Sequence, residues 1–561
     1  MDQNFSASHR GLLSAVLAAA RKWKPPRDSS AYLQAYFANV DAQDLAERNP
    51  SDLAALALSH LKFARQRRGR ASVRVFNPTV AQDGFASLHT VVQLVTDDMP
   101  FLVDSVGMVL SQRGLNTHFL AHPIFAVKRG RDGVLKAITP RPEVAKPAAQ
   151  RPESFQHLEV DRVVDPAELS SLCSQIESAL QDVRLVCGDW GAMRASARAV
   201  AADFENPSGR IDPTEADETR TLLGWMENKH FTFMGYREYR LRGRGGRETL
   251  VPLEETGLGL LRKGRTRPAL VGRISARDIR RQAHSPEIAL VTKSNAISTV
   301  HRRGYLDYVG IKHFDRKGKL IGERRFLGLW TSAAYSANPR DIPVLRRKVT
   351  RVIEHFDLAP DSHDGKALQH IVENFPREEL FQAGLEELIR LVTGVFGLQE
   401  RPRVRILLRR DPFRRFYACL VFVPRDKYNT FVRQRIERVV REALAATSIE
   451  SQVQIAESNL ARVYFVARTL PSGDTQINLP QLERKVEAAV RSWSDTFKDA
   501  LLANREEAQA LQLYGRYANT FPAAYTEDFD AAVAVRDVGF LEALENQPDA
   551  CLLYTSPSPR D

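Results

Sequence analysis

The chain has 561 residues, 43% hydrophobic and 26% charged, which excludes a disordered or fibrous polypeptide and exceeds what one core accommodates. A formal charge of +12 raises nucleic-acid binding, but the basic runs RQRRGR (65–70), GRGGR (243–247), RKGRTR (262–267) and LRRDPFRR (408–415) are scattered and lack a helix-turn-helix, zinc finger or RNP-type strand. They read as solvated loops, and no nucleic-acid partner is expected.

Residues 1–69 read as an N-terminal helical segment. GLLSAVLAAA (11–20) has the apolarity of a signal-peptide core, yet only His9 and Arg10 precede it as basic groups and ARKWKPP follows at once. That suits an amphipathic helix better than a signal. No apolar run reaches the roughly 18–20 residues that span a bilayer, so no membrane partner is expected. The four cysteines, Cys173, Cys187, Cys419 and Cys551, show no CxxC spacing; a cytoplasmic location follows, with neither structural zinc nor disulfides.

A first module is expected over 70–190. SVRVFNP (72–78) and LHTVVQLV (88–95) are strand-like, and PFLVDSVGMVLSQRG (100–114) places Leu102, Val106, Val109 and Leu110 on one helical face. Asp98 suits the helix cap, Pro100 the first turn and Gly114 the stop. A strand (116–129), a Pro-rich insertion (138–153), a second strand (154–163) and a helix (165–183) follow. RLVC (184–187) closes the set as a strand. Counted from LHTVVQLV, the order is βαββαβ, a ferredoxin-like unit.

Over 217–340 the pattern predicts a short helix (218–228), an aromatic strand (229–241) and two strands flanking an Asp315–Gly318 hairpin, an α+β sensor-type sheet. A helical connector spans 341–398. Two strands (403–425), a helix (428–445) and two more strands (453–458, 462–468) make a second ferredoxin-like unit over 400–470, followed by a helical motif over 478–549. The fold class is therefore multidomain α+β. The modules are expected to be separable, with protease-sensitive joints at 138–153, 205–217 and 242–248. Residues 551–561, CLLYTSPSPRD, resemble a translated sequencing adapter and read as a non-native tail on a fragment.

No catalytic constellation is legible. Asp97, Asp98 and Asp104 crowd one strand-to-helix junction, but adjacent carboxylates point apart, and the junction favours capping over acid–base work. His118 and His122 have the spacing of helical metal ligands but fall on a strand, where four residues span about 13 Å. Ser362-His363-Asp364 spells a triad only in letters, since consecutive side chains cannot line up in relay. Neither GxGxxG after a strand nor GxxxxGK[ST] occurs. The catalytic, cofactor-binding and metal sets are therefore all empty.

Six stretches resemble one family, the large class of bacterial NAD-specific glutamate dehydrogenases. They are DDMPFLVDSV (97–106), HFTFMGYREY (230–239), GERRFLGLWTSAAY (322–335), SHDGKAL (362–368), PREELFQ (376–382) and RRDPFRRFYACLVFVPRDKYNT (409–430). The resemblance implies tandem ACT-like domains, a PAS-like domain and helical motifs, ahead of a catalytic domain that would carry the NAD site. It makes NAD the cofactor of the parent enzyme, with none bound by this fragment, and a homo-oligomer the expected assembly. It also marks Asp97, Asp98, Met99, Pro100 and Phe101 as a candidate effector loop, because the corresponding loop of ACT-like domains commonly holds an amino acid. The alternative is a free-standing amino-acid-sensing or RNA-binding protein with ACT-like domains.

Overall fold

The computed structural model describes residues 7–23, 29–67, 69–140, 150–243, 245, 247–264, 276–398, 401, 403–455, 459–470 and 477–546. The expected non-native tail and the centre of the 138–153 insertion lie outside them. The chain divides into two compact units, Met1–Arg346 and Arg347–Asp561.

The first unit opens with helices α1 (Ala7–Ala20), α2 (Ser29–Tyr36), α3 (Ala42–Ala46) and α4 (Pro50–Phe63). The Asn49 side chain accepts from Ser51 N and caps α4, whose first residue is Pro50, the position that needs no N–H. These helices cover one face of an antiparallel sheet of β1 (Ser72–Phe76), β2 (Thr90–Asp97), β3 (Thr117–Ala121), β4 (Ile124–Arg129), β5 (Leu135–Pro140) and β6 (Arg151–Val160). The short helix α5 (Val80–Asp83) lies between β1 and β2. Tyr32, Tyr36 and Phe37 pack against Val91, Val95, Phe125 and Phe155 on that face. On the other face Val92, Leu94, Leu158 and Val160 meet helices α6 (Leu102–Gln112) and α7 (Pro166–Ala202). A strand buried on both sides reads as a nearly unbroken apolar run, which is why LHTVVQLV does not alternate.

The strands run β1-β2-β6-β4-β5, with β3 also on β6. This corrects the expected closing strand. RLVC is part of α7, a helix of 37 residues; Val183, Val186, Met193, Ala197 and Val200 continue its buried stripe, and no proline interrupts it. With β2, β3 and β6 as the first three strands of a βαββαβ unit, the fourth place, beside the first, is filled by β1, which comes earlier in the chain. The unit is a circular permutation of the expected order, with β4 and β5 added as a hairpin on β6. The strand expected over 116–129 is also two, β3 and β4, with His122 and Pro123 between them.

Helix α8 (Pro213–Trp225) leads into a second antiparallel sheet: β7 (Phe231–Arg242), β8 (Thr249–Gly259), β9 (Ala289–Ile297), β10 (Tyr305–Phe314) and β11 (Leu320–Trp330), ordered β8-β7-β11-β10-β9. Helix α9 (Ala276–His284) precedes β9, and α10 (Ser332–Ser336) follows β11. The β10–β11 hairpin turns at Gly318, whose φ of 74° only glycine adopts without strain, and Asp315 Oδ1 accepts from the backbone of Lys317 and Lys319. The two sheets are not independent bodies. Met234, Leu260, Leu261, Leu327 and Leu329 share one core with Leu172, Ile176 and Val183 of α7. The Asp189 carboxylate on the same helix accepts from Gly259 N at 2.8 Å and Arg262 Nε at 3.1 Å. The expected joint at 205–217 therefore lies in a connection between modules fused through α7.

The second unit holds most of α11 (Leu345–Phe356), then α12 (His363–Glu373), α13 (Arg377–Gln382) and α14 (Leu385–Phe396). Strands β12 (Arg405–Arg410) and β13 (Phe416–Pro424), helix α15 (Thr430–Ala443), strands β14 (Ser448–Ile455) and β15 (Leu460–Arg468) and helix α16 (Leu479–Val490) follow. Their sheet order, β12-β13-β15-β14, repeats the permuted pattern. The core of this sheet takes in Leu482, Val486 and Val490 of α16 beside Ile436, Val440, Val463 and Phe465. Helices α17 (Trp493–Asn504), α18 (Glu507–Tyr517), α19 (Ala523–Asp528) and α20 (Ala531–Asn546) form a separate cluster around Phe497, Leu501, Leu513 and Val538.

Candidate functional site

Strand β2 ends at Asp97, and Asp98 N donates to Pro152 O at 3.0 Å. Helix α6 starts only at Leu102, with Phe101 in the capping position and no side-chain cap. Asp98 is therefore not the cap the sequence suggested, because the turn at Pro100 and Phe101 separates it from the first helical residue. Phe101 has a φ of 70°, costly for a bulky residue. Packing holds it there: its ring lies 4.8 Å from that of His301 and 6.3 Å from that of Trp190. His301 is itself left-handed, at 69°. Its N–H donates to Ser105 Oγ at 3.0 Å, and its Nδ1 stands 3.0 Å from Asp104 Oδ2. The first turn of α6 thereby grips the β9–β10 loop of the neighbouring sheet. A cleft of about 390 Å³ opens beside it, lined by Asp104, Met108, Ser111, His301, Arg302 and Arg303.

The five candidate loop residues have three different surroundings. Asp97 pairs with Arg67 at 2.5 Å and Arg184 at 3.0 Å. Asp98 acts on His122, whose imidazole burial lowers while that carboxylate opposes the shift. Met99 and Phe101 pack against the shared core, and Pro100 O lies 3.7 Å from Cys187 Sγ.

His118 pairs with Asp161 at 2.6 Å and stacks on His89, while His122 is 2.7 Å from Ser154 Oγ, so the two histidines have separate partners. Ser362 caps α12, its Oγ accepting from Gly365 N at 3.0 Å and donating to Ala359 O at 2.6 Å; His363 beside it is 97% exposed. Among the described residues no group of three or more His, Cys, Asp or Glu is placed to hold a metal ion. Nor is any of their helices long and apolar enough to cross a membrane.

A feature the sequence reading missed lies on the other side of Asp97. A cavity of about 720 Å³ is lined by five arginines, Arg67, Arg129, Arg131, Arg151 and Arg184, and by Asp97, Asp132 and Glu153. Arg67, 7% exposed, bridges Asp97 and Glu153. Arg129 grips Glu153 with two bonds of 2.7 Å, and its third nitrogen donates to Ala64 O and Gly133 O. The backbone fixes the wall, since Arg67 N donates to Gly133 O and Leu135 N to Arg65 O. RQRRGR, which reads in the sequence as a solvated loop, supplies Arg67 to this wall, and KRGR (128–131) supplies Arg129 and Arg131.

Another basic run, LRRDPFRR, is partly internal. Arg409 on β12 and Glu379 on α13 are 0% and 1% exposed and joined by bonds of 2.6 and 2.8 Å; Tyr464 OH adds a third at 2.9 Å. Arg415 closes the hairpin turn on Asp411 at 2.8 Å. In the second sheet Arg325, 3% exposed, lies 3.9 Å from the centre of the Tyr239 ring and 4.7 Å from that of Tyr308, and donates to Glu323.

Four family models match the chain: the ACT1 domain of glutamate dehydrogenase over residues 32–176, its helical motif 1 over 342–401, its ACT2 domain over 405–494 and its helical motif 2 over 500–544. Among curated proteins the chain is 36% identical to an NAD-specific glutamate dehydrogenase of Halomonas elongata and 35% identical to one of Pseudomonas aeruginosa, each over 94% of this chain. It is 27% identical over 92% of its length to one of Mycobacterium tuberculosis. The chain spans about a third of the length of these relatives, 33%, 32% and 32% respectively.

Proposed function

We propose, from four matched domains along one chain, that this polypeptide is the N-terminal regulatory and assembly region of an NAD-dependent glutamate dehydrogenase. The whole protein would convert L-glutamate, NAD and water to 2-oxoglutarate, ammonia and NADH. NAD and glutamate belong to that whole, in a cytoplasmic homo-oligomer. The sheet over 217–340 fits a PAS-like domain in this reading, since its first and fifth strands are central neighbours in the order β8-β7-β11-β10-β9. Residues 97–101 with the Asp104–His301 cleft are the candidate place for an amino-acid effector. Asp104 offers a charge for an ammonium and Arg302 and Arg303 offer charges for a carboxylate, at the junction of two sheets.

The chain alone is expected to form no NADH from glutamate and NAD, because hydride transfer needs a positioned acceptor. A chimera in which it replaces the aligned third of the Pseudomonas aeruginosa relative is expected to reduce NAD with glutamate. Turnover by the chain alone counts against the proposal. So does a chimera that folds but stays inactive while the unaltered relative works.

A further inference from the structure

We infer that the arginine-lined cavity beside Asp97 is a binding site for a multivalent oxyanion, a small molecule carrying two or more carboxylate or phosphate groups. This goes beyond the dehydrogenase reading and does not depend on it. Three observations carry the inference.

The first is charge. Five guanidinium groups face three carboxylates, and the carboxylates are not equally free. Glu153, buried at 2%, is taken up by Arg67 and Arg129, and Asp97 by Arg67 and Arg184. Arg131 and Arg151 are exposed on the same wall, with no ion pair among the described residues. Asp132 shares that wall, and five arginines against three carboxylates leave the lining a net charge of +2 that draws an anion in.

The second is a buried donor without an acceptor. Arg67 Nε is sealed from solvent and has no hydrogen-bond partner, although Arg67 lines the cavity. Sealed from solvent, that N–H does not reach a ligand in the cavity; what it leaves behind the wall is a guanidinium charge that the protein's acceptors only partly offset.

The third is rigidity. Arg67 and Arg129 are locked by Glu153, by Asp97 and by backbone carbonyls at Ala64 and Gly133, so the cavity floor is set before any ligand arrives. The donors of these two are taken up by protein acceptors, so the exposed Arg131 and Arg151 are the ones that present planar pairs of N–H donors to carboxylate or phosphate oxygens. The volume of about 720 Å³ suits a metabolite-sized ligand. The enclosed carboxylates disfavour a nucleic-acid backbone, and the arginine majority disfavours a metal cation.

The test uses the full 561-residue chain with two probes, inorganic pyrophosphate and the tricarboxylate tricarballylate, each titrated calorimetrically against sodium chloride of equal ionic strength. Saturable binding of at least one probe is expected, with a rise in Tm that grows with ligand concentration. Pyrophosphate alone binding assigns a phosphate ligand; tricarballylate alone assigns a carboxylate one. The paired variant Arg131→Ala and Arg151→Ala removes exposed charges only. It is expected to keep the ligand-free Tm and to weaken binding at least tenfold, whereas Arg131→Lys with Arg151→Lys recovers part of the affinity. Failure of both probes to bind at millimolar concentration would overturn the inference, as would binding that the alanine pair leaves unchanged.

Discussion

Replacing Glu379 by alanine is expected to destabilise the sheet of β12–β15 by about 3–5 kcal/mol, among the largest effects of any single substitution in the chain. The reason is what remains behind. Arg409 is wholly buried, and Glu379 takes two of its donors; without that carboxylate a full positive charge stays in a dry interior. Tyr464 loses its acceptor at the same time. Cys419 offers a local readout, because it is buried in the neighbouring strand and burial pushes its thiol well up, leaving it inert while the sheet is closed. In the Glu379→Ala variant, labelling of Cys419 under native conditions should accelerate roughly a hundredfold to a few thousandfold, at tenfold per 1.4 kcal/mol. Adding Arg409→Met to that variant should recover much of the loss by removing the stranded charge. A change below threefold, or no recovery in the double variant, would show that the pair is not held dry.

That ion pair also explains part of what the sequence made legible. Glu379 comes from PREELFQ and Arg409 from RRDPFRR, two of the stretches on which the family resemblance rested, and they meet across one buried contact. HFTFMGYREY and GERRFLGLW likewise lie side by side as β7 and β11, with Arg237 opposite Arg325 in register. Motifs recognised as strings are, in three dimensions, two halves of the same interior. Periodicity recovered most strands and helices but failed at RLVC, because four apolar-rich residues suit a strand as well as a turn of helix, and only the stripe continuing to Val200 decides. The permuted strand was misplaced for a related reason: local pattern identifies SVRVF as a strand but says nothing of its neighbour. The basic runs are visible in the sequence, but the arginine cavity they build is not. Residues 67, 97, 129, 153 and 184 come from five segments that only the fold brings together, and a basic run looks the same whether its arginines are solvated or locked.

Acid should loosen the first unit well above the range where carboxylates titrate, owing to a polar row inside the sheet face that the N-terminal helices cover. Arg74, Gln93 and His157 are register partners on β1, β2 and β6. Arg74 donates to Gln93 Oε1, which leaves the Gln93 amide N–H to donate to His157 Nδ1 at 2.9 Å. His157 is thereby fixed as the neutral tautomer protonated on Nε2. His60 is fixed in the same way, its Nε2–H donating to Leu94 O at 3.2 Å and its Nδ1 accepting from Tyr36 OH at 2.7 Å. Both imidazoles are 0% exposed. Burial lowers both: His157 adds to the shift at His60, whereas Glu159 opposes it at His157. The unfolded chain takes up protons on both near pH 6.5, but the native chain does so only at lower pH. Their stabilising contribution is therefore complete well above that value and is lost as pH falls, with a slope that approaches about 2.7 kcal/mol per pH unit only once both are protonated in the unfolded chain and still neutral in the native one. Glu159 adds a second, more acidic step. Burial alone would raise its carboxyl, but His157, Arg48 and Ser87 hold it at about 2, so its share is lost only between the ordinary carboxylate range and that value. Urea unfolding followed from pH 7.5 to 5.5 should show the midpoint falling steadily. His157→Gln should lower the midpoint at pH 7.5, since the shorter amide fills the site less well, and should reduce the slope by up to about 1.4 kcal/mol per pH unit because one of the unit's depressed histidines is gone. A midpoint flat across that range, or a slope indifferent to His157→Gln, would mean that the buried histidines are not what makes this unit acid-sensitive.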